Sequence, residues 1–407
     1  MSEQAPFYDL NSPAFFADPS ATWTRMRREA PVHQDADGEW YLSRYDDCVA
    51  ALHDPRLSSD RTDAHLRPLA PAERPRVSYY ETVRRAMLLF IDPPKHTRLR
   101  RLVARAFTPR TAEALRPRIQ AIVDELLAAA PTNDFEIMRD LALPLPYFVI
   151  ADMIGVPRAA RPQIKAWSTD FANAIGGPFS ADVARQANDS LLAFADYLRP
   201  IVARLRAAPE PYLLSELVAA EEHGDRLSED ELFATGMLLI IAGHETTTNL
   251  IANGLWLLLR HPDQLQLLRE QPDLVASAVD EVLRYASPVQ SAVRVTTEDV
   301  TIGGRTVTHG SRVSMLIGAA NRDPARFADP ERFDIARQPN PHLGFGDYIH
   351  VCLGAALARV EGQVALGTLA RRYPNMQLVS KSLNWKSVSG FFGVGTMTVE
   401  LGEPSGA

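Results

Sequence analysis

The sequence predicts a fold that is mainly α with small β-sheets, because three patterns run along its 407 residues. Apolar residues recur at intervals of three and four over long segments, which indicates amphipathic helices. Runs rich in β-branched residues are short, which indicates minor sheets. The 30 prolines fall between the periodic segments instead of gathering in one linker. This distribution predicts a single domain over residues 1–407, with a helix-rich core and a small β-rich N-terminal lobe.

The elements follow in order along the chain. The N-terminal part predicts a helix over 21–28, strand-like runs near 32 and over 40–42, and a helix over 46–52. The helical period then predicts helices over 96–106, 111–130, 140–154, 181–207, 229–259, 262–269, 272–285 and 352–372. Short strand signals lie at 294–295, 300–302, 311–315, 377–378 and 396–401. Residues 321–346 lack periodicity, and so long a connection is usually functional or packed on something large.

Charge and cysteine content exclude several classes of protein. The formal net charge of -7 gives no overall attraction to nucleic acid or to an anionic membrane. Only Cys48 and Cys352 are present, and such sparse use of cysteine is typical of a reducing compartment. The N-terminus has no basic and apolar signal pattern, and the most apolar stretch is interrupted by His244 and Glu245. We therefore expect a cytoplasmic protein with no membrane anchor and no nucleic-acid partner.

The most specific local pattern surrounds Cys352. The segment Phe345–Gly354 reads FGDYIHVCLG and stands directly ahead of a helical run. Backbone N–H groups and the positive end of a helix dipole lower the pKa of a thiol at such a position and favour the thiolate. A thiolate there suits a metal ion or a nucleophile. An isolated cysteine in an apolar helix is more often a buried structural residue, so the neighbouring sequence has to decide.

The segment resembles the cysteine-ligand loop of the cytochrome P450 family, Phe-Gly-x-Gly-x-His-x-Cys-x-Gly. Phe345, Gly346, His350, Cys352 and Gly354 match this motif, whereas Tyr348 stands where the family has its second glycine.

Other segments match the family in the same order. The run AGHETT over 242–247 resembles the oxygen-activating motif, and Glu281-x-x-Arg284, with Arg332 as the second arginine, resembles the trio that braces the core. His244-Glu245 also begins like a His-Glu-x-x-His zinc motif, but position 248 is Thr, so that interpretation fails. The resemblance spans roughly residues 92 to 360.

The resemblance implies the cytochrome P450 fold, a triangular helical prism in which haem lies between the long central helix and the cysteine-ligand helix. It implies haem b, with Cys352 as the metal ligand. A Cys-x-x-Cys-His motif is absent, so covalent attachment is not expected. Buried propionates need cationic donors, and the family positions for them are His96, Arg100, Arg294 and His350. The full set implied to bind the cofactor is His96, Arg100, Ala242, Gly243, Arg294, Phe345, Gly346, His350 and Gly354.

The resemblance also implies a monooxygenase that inserts one oxygen atom from O2 into a C–H or C=C bond. Glu245 and Thr246 would be the catalytic residues, because an acid beside a hydroxyl relays the protons that O2 activation consumes. Electrons would come from NAD(P)H through a reductase and a ferredoxin. A basic patch on the cysteine side would dock the ferredoxin, and its members are Arg98, Arg101, Arg105, Arg110 and Arg359.

Family substrate contacts fall on apolar residues, which favours a medium-sized hydrophobic metabolite of the terpenoid, steroid or polyketide class over a small anion. These are Met87, Leu88, Leu89, Leu239, Ala242, Val289, Ala292, Val293, Phe391 and Phe392. Two alternatives stay open: a P450-type enzyme that is peroxide-driven or performs oxidative coupling, and a haem-thiolate binding or sensor protein without turnover. The Glu245-Thr246 pair favours O2 activation over peroxide, and a sensor would need an output module that is not visible in the sequence.

Overall fold

The computed structural model describes residues 8–10, 12, 15, 18–131, 134–176, 178–210, 212–222, 225–380, 383–388 and 391–404. Helices dominate it, as the sequence predicts. In chain order they are α1 Ser20–Glu29, α2 Tyr45–His53, α3 Thr62–Leu66, α4 Ser78–Ala86, α5 Lys95–Ala104, α6 Pro109–Ala114, α7 Arg116–Ala129, α8 Pro144–Ile154, α9 Arg161–Gly176, α10 Ala181–Ala207, α11 Leu213–Ala219, α12 Glu229–Arg260, α13 Pro262–Glu270, α14 Val275–Tyr285, α15 Ile317–Ala320 and α16 Ala355–Arg372. Within the described residues, no helix is both long and apolar enough to cross a membrane.

The strands form small sheets. They are β1 Val32–Gln34, β2 Trp40–Leu42, β3 Leu57–Ser58, β4 Phe135–Glu136, β5 Glu221–Glu222, β6 Asp225–Arg226, β7 Ser291–Thr296, β8 Val300–Ile302, β9 Arg305–Val307, β10 Arg312–Leu316, β11 Gln377–Leu378, β12 Asn384–Val388, β13 Phe391–Thr396 and β14 Thr398–Glu400. The largest is five-stranded, in the order β1-β2-β10-β7-β3. A three-stranded sheet has the order β11-β14-β4, and β12-β13, β5-β6 and β8-β9 pair as two-stranded sheets.

The chain divides into two compact units. Unit 1 comprises the described residues within 1–57, 112–145 and 246–407, and unit 2 comprises 58–111 and 146–245. The division falls inside α12. The single domain expected over 1–407 stays a prediction.

Unit 1 has a core between its largest sheet and α2. Trp40, Leu42 and Met315 from β2 and β10 pack there with Leu52 and Cys48 of α2, all at most 7% exposed. A second contact in this unit fixes α16 against α12. A Cβ at Gly254 would lie 2.6 Å from Leu366, so only glycine permits this close approach. The approach holds the helix that follows the cysteine loop.

Unit 2 is built around the long helix α10. The Ser180 hydroxyl caps its first turn by accepting a hydrogen bond from the Val183 N–H (3.2 Å). Apolar and small residues then recur along its buried face. Further along, the Asn188 side-chain oxygen accepts hydrogen bonds from the N–H groups of Tyr79 and Tyr80, both at 3.1 Å. These bonds tie the start of α4 to the core of the unit.

Several predicted boundaries differ from the structure. The helix predicted over 111–130 is two helices, because Pro117 occupies the first turn of α7, where its missing N–H does no harm. The helix predicted over 140–154 begins instead with a π-helical turn over Met138–Ala142. The helix predicted to include Cys352 begins at Ala355, so the cysteine lies in the loop before it. The sequence analysis did not identify α4 or α9.

Candidate active site

Cys352 lies in a short loop between a 3₁₀ turn, Tyr348–His350, and α16. Its N–H donates a hydrogen bond to the carbonyl of Phe345 (2.8 Å), which closes the loop on itself, and its own carbonyl accepts from the N–H of Ala355 at 3.4 Å. The side chain is exposed. A Cβ at Gly354 would meet no atom within 4 Å, so there is open space close to Cys352 in the chain. The loop therefore leaves the Cys352 thiol accessible to a ligand.

The segment Phe345–Gly354, which contains this loop, has two residues with left-handed backbone conformations. Gly346 has a φ of +70° and Tyr348 has a φ of +59°. Tyr348 thus adopts the backbone conformation expected of the glycine it replaces, and its ring is accommodated because it is 53% exposed. The carboxylate of Asp347 accepts a hydrogen bond from the Tyr348 N–H (2.8 Å) and stabilises the turn. Tyr348 therefore occupies a left-handed position of the kind that favours glycine, which is the residue of the family motif here.

A charged network supports the first residue of the loop. The Arg359 guanidinium lies over the ring of Phe345, 4.6 Å from its centroid. Its Nε also donates to the carboxylate of Asp280 (2.8 Å), and the ring of His342 lies 3.3 Å from the same carboxylate. Burial alone would raise the pKa of Asp280, but the hydrogen bonds from His342 and Arg359 outweigh it and lower that pKa. Asp280 therefore stays ionised and orients the arginine.

Beneath the loop lies the buried ion pair that the sequence predicted. Glu281 and Arg284 are fully buried and share two hydrogen bonds of 2.8 Å. The second arginine, however, is Arg337, whose Nε lies 3.2 Å from the Glu281 carboxylate. Arg332 contributes only its backbone carbonyl, which accepts from Arg284 at 3.0 Å, while the residue itself is exposed. The assignment of Arg332 was wrong, because an aperiodic segment does not reveal which of its arginines turns inward.

The middle of α12 is an accessible turn in an otherwise buried helix. Ala242 is exposed and Gly243, Glu245 and Thr246 are half-buried, whereas most residues over 231–240 and 247–258 are buried. A Cβ at Gly243 would make an ordinary contact of 3.7 Å with Ile150, so no protein atom requires glycine there. Glu245 is the last residue of unit 2 here and Thr246 the first of unit 1. This turn is a surface that a bound group would cover.

The four predicted propionate partners fall two in each unit. In unit 2, His96 and Arg100 lie four residues apart on α5, and His96 is 1% exposed. In unit 1, Arg294 lies on β7 and is 7% exposed, and its guanidinium donates to the carbonyl of Val293 (2.9 Å). His350 is the half-buried last residue of the 3₁₀ turn. Buried cationic donors of this kind suit anionic oxygens.

The predicted substrate residues have different environments. In unit 2, Leu239 is buried and Leu89 is 43% exposed. In unit 1, Val289 forms a β-bridge with Phe391, while Ala292 and Val293 pair with β10. Phe392 is 7% exposed, and its ring stacks on Trp385 with centroids 4.8 Å apart. Because consecutive strand residues face opposite sides, Phe391 and Phe392 do not share a face.

Arg84, on α4 of unit 2, is a residue that the sequence analysis missed. Its side chain is only 1% exposed. The nearest signal in the sequence was its position three residues before Met87, at the edge of the predicted substrate segment.

These residues fit haem b. The exposed Cys352 would supply the thiolate, the accessible turn of α12 would face a large flat group, and the buried His96 and Arg294 would donate to its carboxylates. The class of protein that the fold and this donor set define is a haem-thiolate oxygenase.

The comparisons agree. The family model for cytochrome P450 matches residues 185–380. The vitamin D(3) 25-hydroxylase of Pseudonocardia autotrophica is 44% identical over 377 residues, which is 91% of this chain and 90% of the relative.

Solved structures of other proteins are also similar to this chain in sequence and in fold. A cytochrome P450 in complex with an acyl carrier protein ligated to hexadec-9Z-enoic acid is 38% identical, with a TM-score of 0.87 over 95% of this chain and 99% of that chain. A myxobacterial cytochrome P450 in complex with myristic acid is 40% identical, with a TM-score of 0.86 over 97% of this chain and 99% of that chain. The chain belongs to the cytochrome P450 family, and it is a monooxygenase of the type that binds haem b through a cysteine thiolate.

Proposed function

We propose that this chain inserts one oxygen atom from O2 into a C–H or C=C bond of a medium-sized apolar substrate, and that Cys352 would hold the haem iron. The observation that carries the proposal is the loop itself. It turns twice through left-handed residues, Gly346 and Tyr348, and leaves the Cys352 side chain exposed ahead of α16. When bound, the haem supplies the oxygen activation and the oxidising power for attack on carbon.

The protein's own residues would do four things. Cys352 would hold the iron, and the N–H bond to Phe345 would fix the direction of its backbone. The haem itself would be bound at its propionates by His96, Arg100, Arg294 and His350, and its ring would be contacted by Phe345, Gly346, Gly354, Ala242 and Gly243. Glu245 and Thr246 would hold and pass protons at the accessible turn of α12. Apolar residues such as Leu239 would exclude water from the substrate.

The substrate class is supported by chemistry and by relatives. The residues assigned to substrate are apolar, and a vitamin D(3) hydroxylase is among the similar proteins. A P450 of nearly the same identity is known with myristic acid, an elongated apolar acid. We therefore include apolar carboxylic acids beside terpenoids, steroids and polyketides.

We further propose that electrons arrive from NAD(P)H through a ferredoxin in the cytoplasm. The five basic residues assigned to docking differ in exposure. Arg98 and Arg359 are half-buried, whereas Arg101, Arg105 and Arg110 are exposed, and we assign the electrostatic attraction to these three.

The experiment replaces each cysteine in turn. Cys352→Ser should abolish the red-shifted band of the reduced carbon monoxide complex that a thiolate-bound haem shows. Cys48→Ser is the matched control, because Cys48 is 0% exposed in the core of unit 1 and should leave the band in place. Retention of the band in Cys352→Ser would show that the ligand is misassigned.

A further inference from the structure

Arg84 is a buried cation for which the described residues provide no carboxylate within ion-pair distance. Its guanidinium lies over the ring of Phe90, 4.0 Å from the centroid, and 5.7 Å from that of Tyr80. Its one hydrogen bond, from Nη1 to the Tyr80 hydroxyl, is long at 3.5 Å. Within the described part of the chain, its Nε has no acceptor at all. Most N–H groups of the Arg84 guanidinium therefore have no hydrogen-bond acceptor in the described part of the chain.

The neighbouring arginine shows the contrast. Arg85 is 38% exposed, and it is surrounded by Glu81 (2.9 Å), Asp63 (2.6 Å) and Asp60 (3.7 Å). The acidic groups around α4 thus pair with Arg85, whose charge water already stabilises. Arg84, which water does not reach, has two aromatic rings and one long hydrogen bond to the Tyr80 hydroxyl.

This arrangement is costly without an anion. Transferring an ion out of water costs more free energy than a cation–π contact returns. Burial lowers the pKa of Arg84, and the contact with Tyr80 and the charge of Asp60 oppose this without outweighing it. A carboxylate from outside the chain would supply the missing charge and accept from the unused donors.

The residues around Arg84 also limit the kind of molecule that can carry this carboxylate. The Tyr80 hydroxyl is already engaged, since it donates to the carbonyl of Ala174 (3.2 Å) and lies 2.9 Å from the ring nitrogen of His65. The rings of Phe90 and Phe171, both fully buried, provide apolar contact beside it. The body of the ligand is therefore apolar.

We propose that Arg84 binds the carboxylate of an apolar carboxylic acid and that this acid is a substrate of the enzyme. The inference rests on the proposed function, whose substrate class it narrows. Arg84 lies three residues before Met87, where the substrate segment begins, so an acid held here extends its chain along apolar residues. The other source of a carboxylate is a propionate of the haem, and the experiment separates the two.

The test uses purified holoenzyme at pH 7.5 with two probes of equal chain length, dodecanoate and 1-dodecanol. Dissociation constants are measured by calorimetry and by the haem absorbance shift. The wild type should bind the acid about tenfold or more tightly than the alcohol, as expected for hydrogen bonds to a charged group. Arg84→Gln should bring this ratio close to one. Arg85→Gln, the matched control on the same helix, should leave the ratio unchanged.

Each other outcome contradicts the proposal. Equal affinity of the wild type for acid and alcohol would overturn it, and this comparison needs no variant if Arg84→Gln fails to fold. Loss of haem from Arg84→Gln with an unchanged acid preference in the remaining holoenzyme would assign the cation to a propionate. The carbon monoxide spectrum of every preparation distinguishes failure of the proposed function from failure of the carboxylate site. A wild type without the thiolate band overturns the proposed function, whereas a normal band with no acid preference overturns only the carboxylate site.

Discussion

The ring of Tyr348 stacks on the imidazole of His53, with centroids 4.5 Å apart and an angle of 23° between the planes. His53 ends α2, and its Nε2 also lies 3.0 Å from the carboxylate of Asp347. The cysteine loop is therefore fastened to a helix that lies far away in the sequence. The stack offsets the cost of placing a side chain where the backbone favours glycine.

The stack predicts the effect of two substitutions. A left-handed conformation costs a non-glycine residue roughly 1–2 kcal/mol, and an aromatic pair returns about 0.5–1.5 kcal/mol. Tyr348→Gly should therefore change the free energy of unfolding by less than about 1 kcal/mol. His53→Ala should destabilise the wild type by about 1 kcal/mol more than it destabilises the Tyr348→Gly variant, in which it still removes the contact with Asp347. Urea unfolding of the four proteins measures this, and equal costs in both backgrounds would show that the stack contributes nothing.

Arg337 and Arg332 should differ sharply in mutational cost. Arg337→Ala removes a partner from the fully buried Glu281 carboxylate, so we expect a loss of roughly 2 kcal/mol or more in the free energy of unfolding. Arg332→Ala removes only an exposed side chain and should cost less than about 0.5 kcal/mol. Chemical denaturation compares the two variants. A larger effect at Arg332 would restore the assignment that the sequence suggested.

Glu361 should make stability depend on pH. It lies on α16 at 2% exposure, and burial raises the pKa of its carboxyl well above the usual value. The folded state therefore keeps a proton that the unfolded chain releases above about pH 4.3. Its contribution to stability is complete below that pH and falls as pH rises toward the folded pKa.

The measurement compares Glu361→Gln with the wild type between pH 5 and 8. The stability difference in favour of the variant should grow by about 1.4 kcal/mol per pH unit until the folded pKa is reached. Other titrating groups are common to both proteins and cancel. A constant difference across this range would mean that the carboxyl is ionised in the folded protein.

Thr246→Ala should leave haem binding intact and divert electrons to peroxide. The reason is that the hydroxyl on the accessible turn of α12 would no longer pass protons. We expect a several-fold rise in the peroxide formed for each NAD(P)H consumed, measured with a surrogate ferredoxin and reductase. Thr248→Val is the control, because its hydroxyl donates to the carbonyl of Ala142 (2.8 Å) and is fully buried. Unchanged coupling in Thr246→Ala would remove this residue from the proton route.

Much of the architecture could be predicted because it repeats over long segments. The periodic stretch over 229–259 became α12, and 181–207 became α10, each within one residue. Helix boundaries were harder to predict where a local feature interrupted the helical period, as at Pro117 in the first turn of α7. The cysteine motif identified the family, but the stacking of Tyr348 on His53 was not readable, since it joins residues far apart in the sequence.

The residues whose roles the sequence did not predict share one physical cause: their burial depends on tertiary contacts. Arg337 and Arg332 lie in the same aperiodic stretch, and only packing decides which of them turns toward Glu281. Arg84 and Arg85 are identical neighbours in the sequence, yet one is buried and the other is 38% exposed. The buried face of the helix that carries them is formed by Tyr80, Val83, Arg84 and Ala86, and because it includes an arginine and few aliphatic residues the helix was missed.

The two thiols of the chain have opposite accessibility. Cys48 is sealed in the core, where burial raises the pKa of its thiol, whereas Cys352 is exposed. A maleimide dye added to the folded apoprotein should therefore label one position without any engineering. Coordination of that sulfur would block the dye, so the labelled fraction would count the molecules that have not taken up their cofactor.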